Sequence, residues 1–437
     1  MKPRPPLPPG PYLVVGLARS GAAAARVLRA HGEVMGCDAA APPGADELDG
    51  VEVRLRSDGL DLLARARTVV KSPGVPREAP VIVTARERGL TVVGELELAW
   101  RLLPNEFIAV TGTNGKTTTV ELLGAIHRAA GLPVEVAGNV GTPLASLVGR
   151  LDPTATIVCE ASSFQLEDSA GFAPECAVLL NVTEDHLDRH GTFEDYLAAK
   201  LRIFEAQEED DVAVLPADFA GQPGRGRTLR FGAGDSDLAE RDGELWWDGV
   251  RMMDADEVRL RGAHNLHNAM AAAAAALARG IRTEDVRAAL RTFPGVPHRL
   301  EEVARRDGVL FVNDSKATNV ASALVGIEAF DGGVHLIAGG SLKGGGFRSL
   351  REAVAGRCRA CYLIGEASTQ LEADLAGTVP LERCGELEYA VRAAASAART
   401  GEVVLLSPAC ASYDQFDDFE QRGDRFRALA RELAERE

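Results

Sequence analysis

A surplus of basic side chains is missing from this 437-residue chain, and so is any apolar stretch long enough to cross a bilayer. Its 48 lysines and arginines are outnumbered by 64 aspartates and glutamates, for a formal charge of −16 at pH 7. The basic field on which nonspecific nucleic-acid or anionic-membrane binding relies is therefore absent, and a phosphate-bearing ligand must be met by local cationic pockets. The longest nearly uniform apolar run, Ala269 to Ala278, falls far short of the roughly 20 residues a membrane helix needs. The opening Met1 to Pro9 is proline-rich and has no apolar signal core. These absences predict a cytoplasmic protein with neither nucleic acid nor membrane as partner. Cysteine gives no disulfide framework, since the seven are scattered and odd in number. Cys358 and Cys361 have C-x-x-C spacing, but no second pair follows at a zinc-site distance, which predicts a buried, inert pair.

What the chain does have is an apolar strand, Phe107 to Thr111, running into Gly112-Thr113-Asn114-Gly115-Lys116-Thr117-Thr118 and then a helix. Glycines let successive N–H groups face anionic oxygens, the helix start adds a positive dipole end, Lys116 a full charge, and Thr117 a hydroxyl for Mg2+. The loop is shorter than the usual G-x-x-x-x-G-K-[ST], because Val110 stands six residues before Lys116.

The length predicts two or three domains. Alternating short apolar runs and helical patterns over the first ninety-odd residues imply parallel βα units. Their first turn is Gly16-Leu17-Ala18-Arg19-Ser20-Gly21, followed by Asp38 at the end of the next strand. That is a nucleotide-site pattern, yet Ala18 stands where a dinucleotide pyrophosphate wants glycine. A second α/β unit carries the phosphate loop, strands at Thr156 to Cys159 and Cys176 to Asn181, a helix through Tyr196 and Lys200, an Asp248-Gly249 hairpin, and an Ala-rich helix from His264 to Ala278. A third begins after Gly295-Val296-Pro297, with strands at Val309 to Asn313, Val334 to Ala338, Cys361 to Ile364 and Val403 to Leu406. The expected architecture is α/β in three domains: 1–95 Rossmann-like, 96–296 a P-loop-type ATPase domain, and 297–437 Rossmann-like.

Polar clusters follow several of these strands. Glu160 ends one and is a candidate Mg2+ ligand. His186 and His190, four apart, mimic a zinc pair, but their oxygen-rich surroundings favour Mg2+. Lys200, four residues after Tyr196, reads by spacing alone as surface charge.

Taken together, Gly112 to Thr117, Glu160 to Gln165, Asn181 to Arg189, His264 to Asn268, His298-Arg299, Asn313 to Asn319 and Ser407 to Gly423 resemble the Mur ligases of peptidoglycan synthesis. The last block resembles most the branch adding D-glutamate to UDP-N-acetylmuramoyl-L-alanine. The resemblance implies ATP as co-substrate, held by Gly112, Thr113, Asn114, Gly115, Lys116, Thr117, Thr118, Asn268, Arg299 and Asp314. It implies two Mg2+ ions on Thr117, Glu160, His186 and a carbamylated Lys200, so that catalysis rests on Lys116, Glu160, His186 and Lys200. It places the UDP-substrate against Arg19, Ser20, Asp38, Gly74, Asn139 and His186, and D-glutamate against Lys316, Thr318, Lys343, Ser412 and Phe419. Ala39 and Ala40 depart from the family pattern beside the uridine. A monomer is expected. The rival readings are another amide ligase of the superfamily, an NAD(P)-dependent oxidoreductase built on the first domain, and a P-loop switch.

Overall fold

The computed structural model describes residues 2–342 and 345–435. Contacts divide the chain into two compact units, Met1–Val258 with Leu266–Thr292, and Arg259–Asn265 with Phe293–Glu437.

The first unit holds two sheets. Strands β1 (Tyr12–Val15), β2 (Val34–Asp38), β3 (Glu52–Leu55), β4 (Thr68–Lys71) and β5 (Thr91–Gly94) lie side by side in the order β3-β2-β1-β4-β5, every pair parallel. Helices cover a parallel sheet on both faces, so its central strands read as unbroken apolar runs, as Tyr12-Leu13-Val14-Val15 does. The strand order reverses at β1, which opens a crevice beyond its C-terminal end. There Gly16 adopts φ +85°, and a Cβ at Gly21 would fall 1.7 Å from the Gly16 carbonyl oxygen. The two glycines thus set the turn and let the helix Arg19–Leu28 start against it.

The second sheet comprises β6 (Phe107–Thr111), β7 (Val134–Gly138), β8 (Thr156–Glu160), β9 (Cys176–Leu179), β10 (Val212–Pro216), β11 (Arg227–Ala233), β12 (Leu238–Arg241), β13 (Glu244–Trp247) and β14 (Val250–Asp254). It has the order β14-β13-β12-β11-β10-β9-β6-β8-β7. β6 sits between β8 and β9, both parallel to it, so its C-terminal end is again a switch point. The Asp248-Gly249 hairpin forms as predicted, with φ +47° and +75° at the two turn residues, the left-handed pair a two-residue turn requires. β9 ends at Leu179, short of the predicted Asn181, whose polar groups serve the phosphate loop instead.

The second unit carries β15 (Glu301–Arg306), β16 (Val309–Asn313), β17 (Val334–Gly339), β18 (Cys358–Ile364), β19 (Leu381–Gly385) and β20 (Val403–Leu406), in the order β15-β16-β20-β17-β18-β19. All pairs are parallel except β15 with β16. β18 begins at Cys358, three residues before the expected Cys361, and both cysteines are buried free thiols. Beyond the strand ends lies Arg422, buried without a carboxylate partner among the described residues. Its guanidinium donates to the Ser315 hydroxyl (3.0 Å) and to the carbonyls of Ser315 (2.9 Å), Cys410 (3.1 Å) and Ala411 (3.1 Å). Desolvation pushes its pKa down to about 10. This one cation holds together the loops that follow β16 and β20.

No helix among the described residues is long and apolar enough to cross a membrane.

Candidate functional site

The phosphate loop is clamped from the side by the segment after β9. Leu180 N–H donates to Thr111 O (3.0 Å) and Thr113 N–H to Asn181 O (3.0 Å). The Asn181 side chain then accepts from Asn114 N–H (2.9 Å) and returns a bond to Asn114 O (3.1 Å). Gly115 enters the helix Lys116–Ala129 at φ +87°, and a Cβ there would lie 2.1 Å from Asn268 Oδ1. The Ala-rich helix therefore brings Asn268 onto the loop, where the left-handed backbone favours glycine and a side chain would displace the Asn268 amide. Lys116 Nζ curls over the loop, donating to Gly112 O and Thr113 O at 2.9 Å each. Thr118 Oγ1 is buried and finds no protein partner among the described residues.

β8 delivers Glu160 to the same place. Its carboxylate, 2% exposed, accepts from Thr117 Oγ1 (2.9 Å) on one oxygen and from Asn139 Nδ2 (3.0 Å) on the other. No lysine or arginine pairs with it among the described residues. A buried carboxylate beside a hydroxyl is a hard-oxygen donor set, which suits Mg2+.

Lys200, on the helix Phe193–Glu205, is not surface charge. It is 1% exposed and donates to Gly112 O at 2.8 Å. Its Nζ lies 4.4 Å from the Tyr196 ring centroid, with no carboxylate in ion-pair distance among the described residues. Burial and the nearby Lys116 charge push its pKa down to about 7, against a weaker upward pull from Asp185. The i, i+4 pairing with Tyr196 thus faces the phosphate loop, and Tyr196 OH lies 3.1 Å from Thr113 Oγ1.

The two histidines part company. His186 stands half-exposed at φ +52° ahead of the short helix Leu187–His190, its ring 4.9 Å from Phe164 and 6.3 Å from Tyr196. His190 is buried, with Nε2 3.0 Å from Ser163 Oγ and its ring stacked on Phe164 at 5.3 Å. No group of three or more His, Cys, Asp or Glu suited to a metal occurs among the described residues.

A cavity of about 560 Å3 opens at the first switch point, lined by Arg19, Ser20, Asp38, Gly74, Asn139 and others. Every residue assigned to the UDP side except His186 is on its wall. Asp38 accepts from Leu17 N–H (2.7 Å) and Ala40 N–H (2.8 Å), which braces the turn around Ala18. Arg19 reaches across to Gly141 O (2.9 Å). Asn139 thus touches both this cavity and, through Glu160, the phosphate loop.

In the second unit, Asp314 is buried and accepts from Ser407 Oγ (2.8 Å) and Leu300 N–H (3.2 Å). Burial raises its carboxyl to about 7 despite those bonds and the Arg299 charge. Arg299 Nε is buried with no protein partner among the described residues. Lys316 Nζ stands 5.7 Å from the Phe419 ring centroid, Ser315 Oγ donates to Phe419 O (2.8 Å), Thr318 N–H donates to Lys316 O (2.8 Å), and Ser412 is buried in the loop after β20. Lys343 lies outside the described residues.

Asn181, which clamps the loop, Arg422, which ties the loops of the second unit, and the buried Lys71, on Glu167 and Asp168, are given no role by the sequence motifs. A lysine closing an apolar strand, as Lys71 does before Ser72-Pro73-Gly74, was the clearest available signal.

Three family models match the chain: Mur ligase MurD-like, N-terminal domain (residues 11–94), Mur ligase middle domain (110–276), and Mur ligase, glutamate ligase domain (298–410). Among relatives, the UDP-N-acetylmuramoylalanine–D-glutamate ligase of Acidobacterium capsulatum is 44% identical, covering 95% of each chain. Its namesake in Geobacter metallireducens is 44% identical, over 96% of this chain and 97% of its own. The solved UDP-N-acetylmuramate–alanine ligase of Thermotoga maritima shares the fold, with TM-score 0.60 and 17% identity over 97% of this chain and 99% of that one. So does a MurF ligase of Thermotoga maritima solved with ADP, with TM-score 0.58 and 21% identity over 86% and 92%.

Proposed function

The chain belongs to the Mur ligase family, and from that premise we propose that it joins D-glutamate to UDP-N-acetylmuramoyl-L-alanine with ATP, a step of peptidoglycan precursor synthesis. The observation that carries this reading is the match, along nearly the whole of both chains, to ligases named for that reaction. The buried contact of Thr117 with Glu160 beside Lys116 supports it from the side of the chemistry.

In this reading the terminal carboxylate of the UDP-substrate attacks the γ-phosphorus of ATP. A new O–P bond forms, the bond to the bridging oxygen breaks, and ADP leaves with that electron pair. The amine of D-glutamate then adds to the acyl phosphate carbon. Loss of a proton and departure of phosphate leave the amide. The protein contributes positioning and charge: Lys116 and the opening N–H groups of its helix stabilise the transferring phosphoryl group. Thr117, Glu160, His186 and a carbamylated Lys200 would hold two magnesium ions, whose chemistry is to offset phosphate charge. Asn268, Arg299 and Asp314 would bind the nucleotide, and Lys316, Thr318, Lys343, Ser412 and Phe419 the amino acid. Water must be kept from the acyl phosphate, which it would otherwise hydrolyse.

Phosphate release is expected to require the UDP-substrate and D-glutamate together. A coupled assay run with D-glutamate, L-glutamate, L-alanine and a diamino acid tests this. Equal turnover with L-alanine or a diamino acid would assign the chain to another step, and release with neither co-substrate would make it an ATPase.

The first cavity is expected to take a uridine nucleotide and to refuse NAD, because Ala18 puts a methyl group where a pyrophosphate needs bare backbone. Titration calorimetry with UDP and with NAD checks it. Tight NAD binding that competes with UDP would overturn the assignment.

A further inference from the structure

Arg189 touches two regions that the functional reading assigns to the substrates, the wall of the nucleotide-sugar cavity and the turn carrying His186. It lies on the helix Leu187–His190, three residues after His186. Its Nη2 is shared among Val75 O (2.9 Å), Pro73 O (3.3 Å) and Glu167 Oε1 (2.8 Å). Its guanidinium carbon sits 4.6 Å from the Phe164 ring centroid, the ring that also packs against His186 and His190. Pro73 and Val75 are wall residues of the 560 Å3 cavity. The loop they form is held from below by Lys71, fully buried, whose Nζ bonds Val75 O (2.9 Å), Glu167 (3.0 Å) and Asp168 (2.7 Å).

One planar, permanently charged group carries all of these contacts, its Nη2 meeting the two carbonyls and the carboxylate while its flat face covers the Phe164 ring, a stacking that a lysine ammonium does not offer. Any shift of the turn bearing His186 must therefore move Pro73 to Val75 or break these bonds, and the converse holds. Breaking the contact with Glu167 is costly, because that carboxylate is the one ion-pair partner of the Arg189 guanidinium among the described residues.

We propose that Arg189 is a positioning residue that links occupancy of the nucleotide-sugar cavity to the turn carrying His186, so that the UDP-substrate and Mg2+·ATP strengthen each other's binding. The proposal rests on the functional reading above for the identity of both ligands.

The test is the Kd of UDP-N-acetylmuramoyl-L-alanine with and without Mg2+ and a non-hydrolysable ATP analogue, and the reverse titration. It is run by calorimetry on the parent, Arg189→Met and Arg189→Lys, with thermal melting as the check on folding. In the parent the two titrations should give one common factor of about fivefold or more, since linkage is reciprocal. In Arg189→Met that factor should fall towards one, and Arg189→Lys, whose shorter side chain stops short of the Nη2 position and has no planar face for the Phe164 ring, should lose most of it. If Arg189→Met does not fold, Arg189→Lys decides alone. A parent factor near one, or a folded variant that keeps the factor within about twofold of the parent, overturns the proposal. A parent protein that turns over no UDP-substrate would instead remove the functional reading, and this inference with it.

Discussion

Lys116→Ala is expected to abolish ligation while leaving a folded protein. The ammonium donates to the loop's own Gly112 and Thr113 carbonyls, and each such bond is worth about 1 kcal/mol net. For a domain of this size that corresponds to a melting shift of about 2–4 °C per kcal/mol. Turnover should respond on another scale. A charge aimed at a phosphoryl group in transfer acts in a site that excludes water, where removing one such stabilising group costs about 10²–10³ in kcat. Because the interaction strengthens as charge develops, kcat should fall further than the KM for ATP rises. Steady-state kinetics beside circular dichroism and melting would check this. A folded variant that retains more than about a tenth of parental kcat would take phosphoryl activation away from this loop.

That prediction could be written from the sequence because the loop's chemistry is local. A strand, a glycine turn, a lysine and a helix follow one another without a break, so Gly112 to Thr118 are legible as a unit, and the three α/β alternations are legible for the same reason. The two edge strands of the second unit were not. Glu301–Arg306 and Leu381–Gly385 are half-exposed and charged, which suits an edge that must not pair with another chain and hides the alternation that marks a strand. The clamp on the loop was also invisible. Asn181 lies 67 residues from Asn114, and its reciprocal amide bonds exist only because β9 runs beside β6. Asn268 against Gly115 is of the same kind: composition says that an alanine-rich helix packs closely, but not upon what. Motifs name the groups, and long-range strand order decides which of them meet.

Lys200 is where the two levels of reading disagreed. Helical spacing makes it solvated charge, whereas the fold buries it to 1% exposure over the Tyr196 ring and against Gly112 O, with no carboxylate in ion-pair distance among the described residues. An ammonium at that depth carries a desolvation cost. Addition of its neutral amine to CO2, with loss of one proton, removes the cation and replaces it with a carboxylate-like anion suited to a hard metal. Lys200→Ala is therefore expected to lose turnover by about 10²-fold or more, a deficit in transition-state charge neutralisation rather than in folding. Bicarbonate or a short-chain carboxylate such as acetate should restore part of it, because the truncated side chain leaves a buried space that a small oxygen anion can enter. Lys200→Arg should stay inactive, since a guanidinium keeps its charge and cannot form the carbamate. Parent enzyme equilibrated with 13C-labelled CO2 should show a carbamate carbon signal that both variants lack. Ligation by Lys200→Arg at the parental rate would mean that a cation suffices at this position, and the carbamate would have to be abandoned.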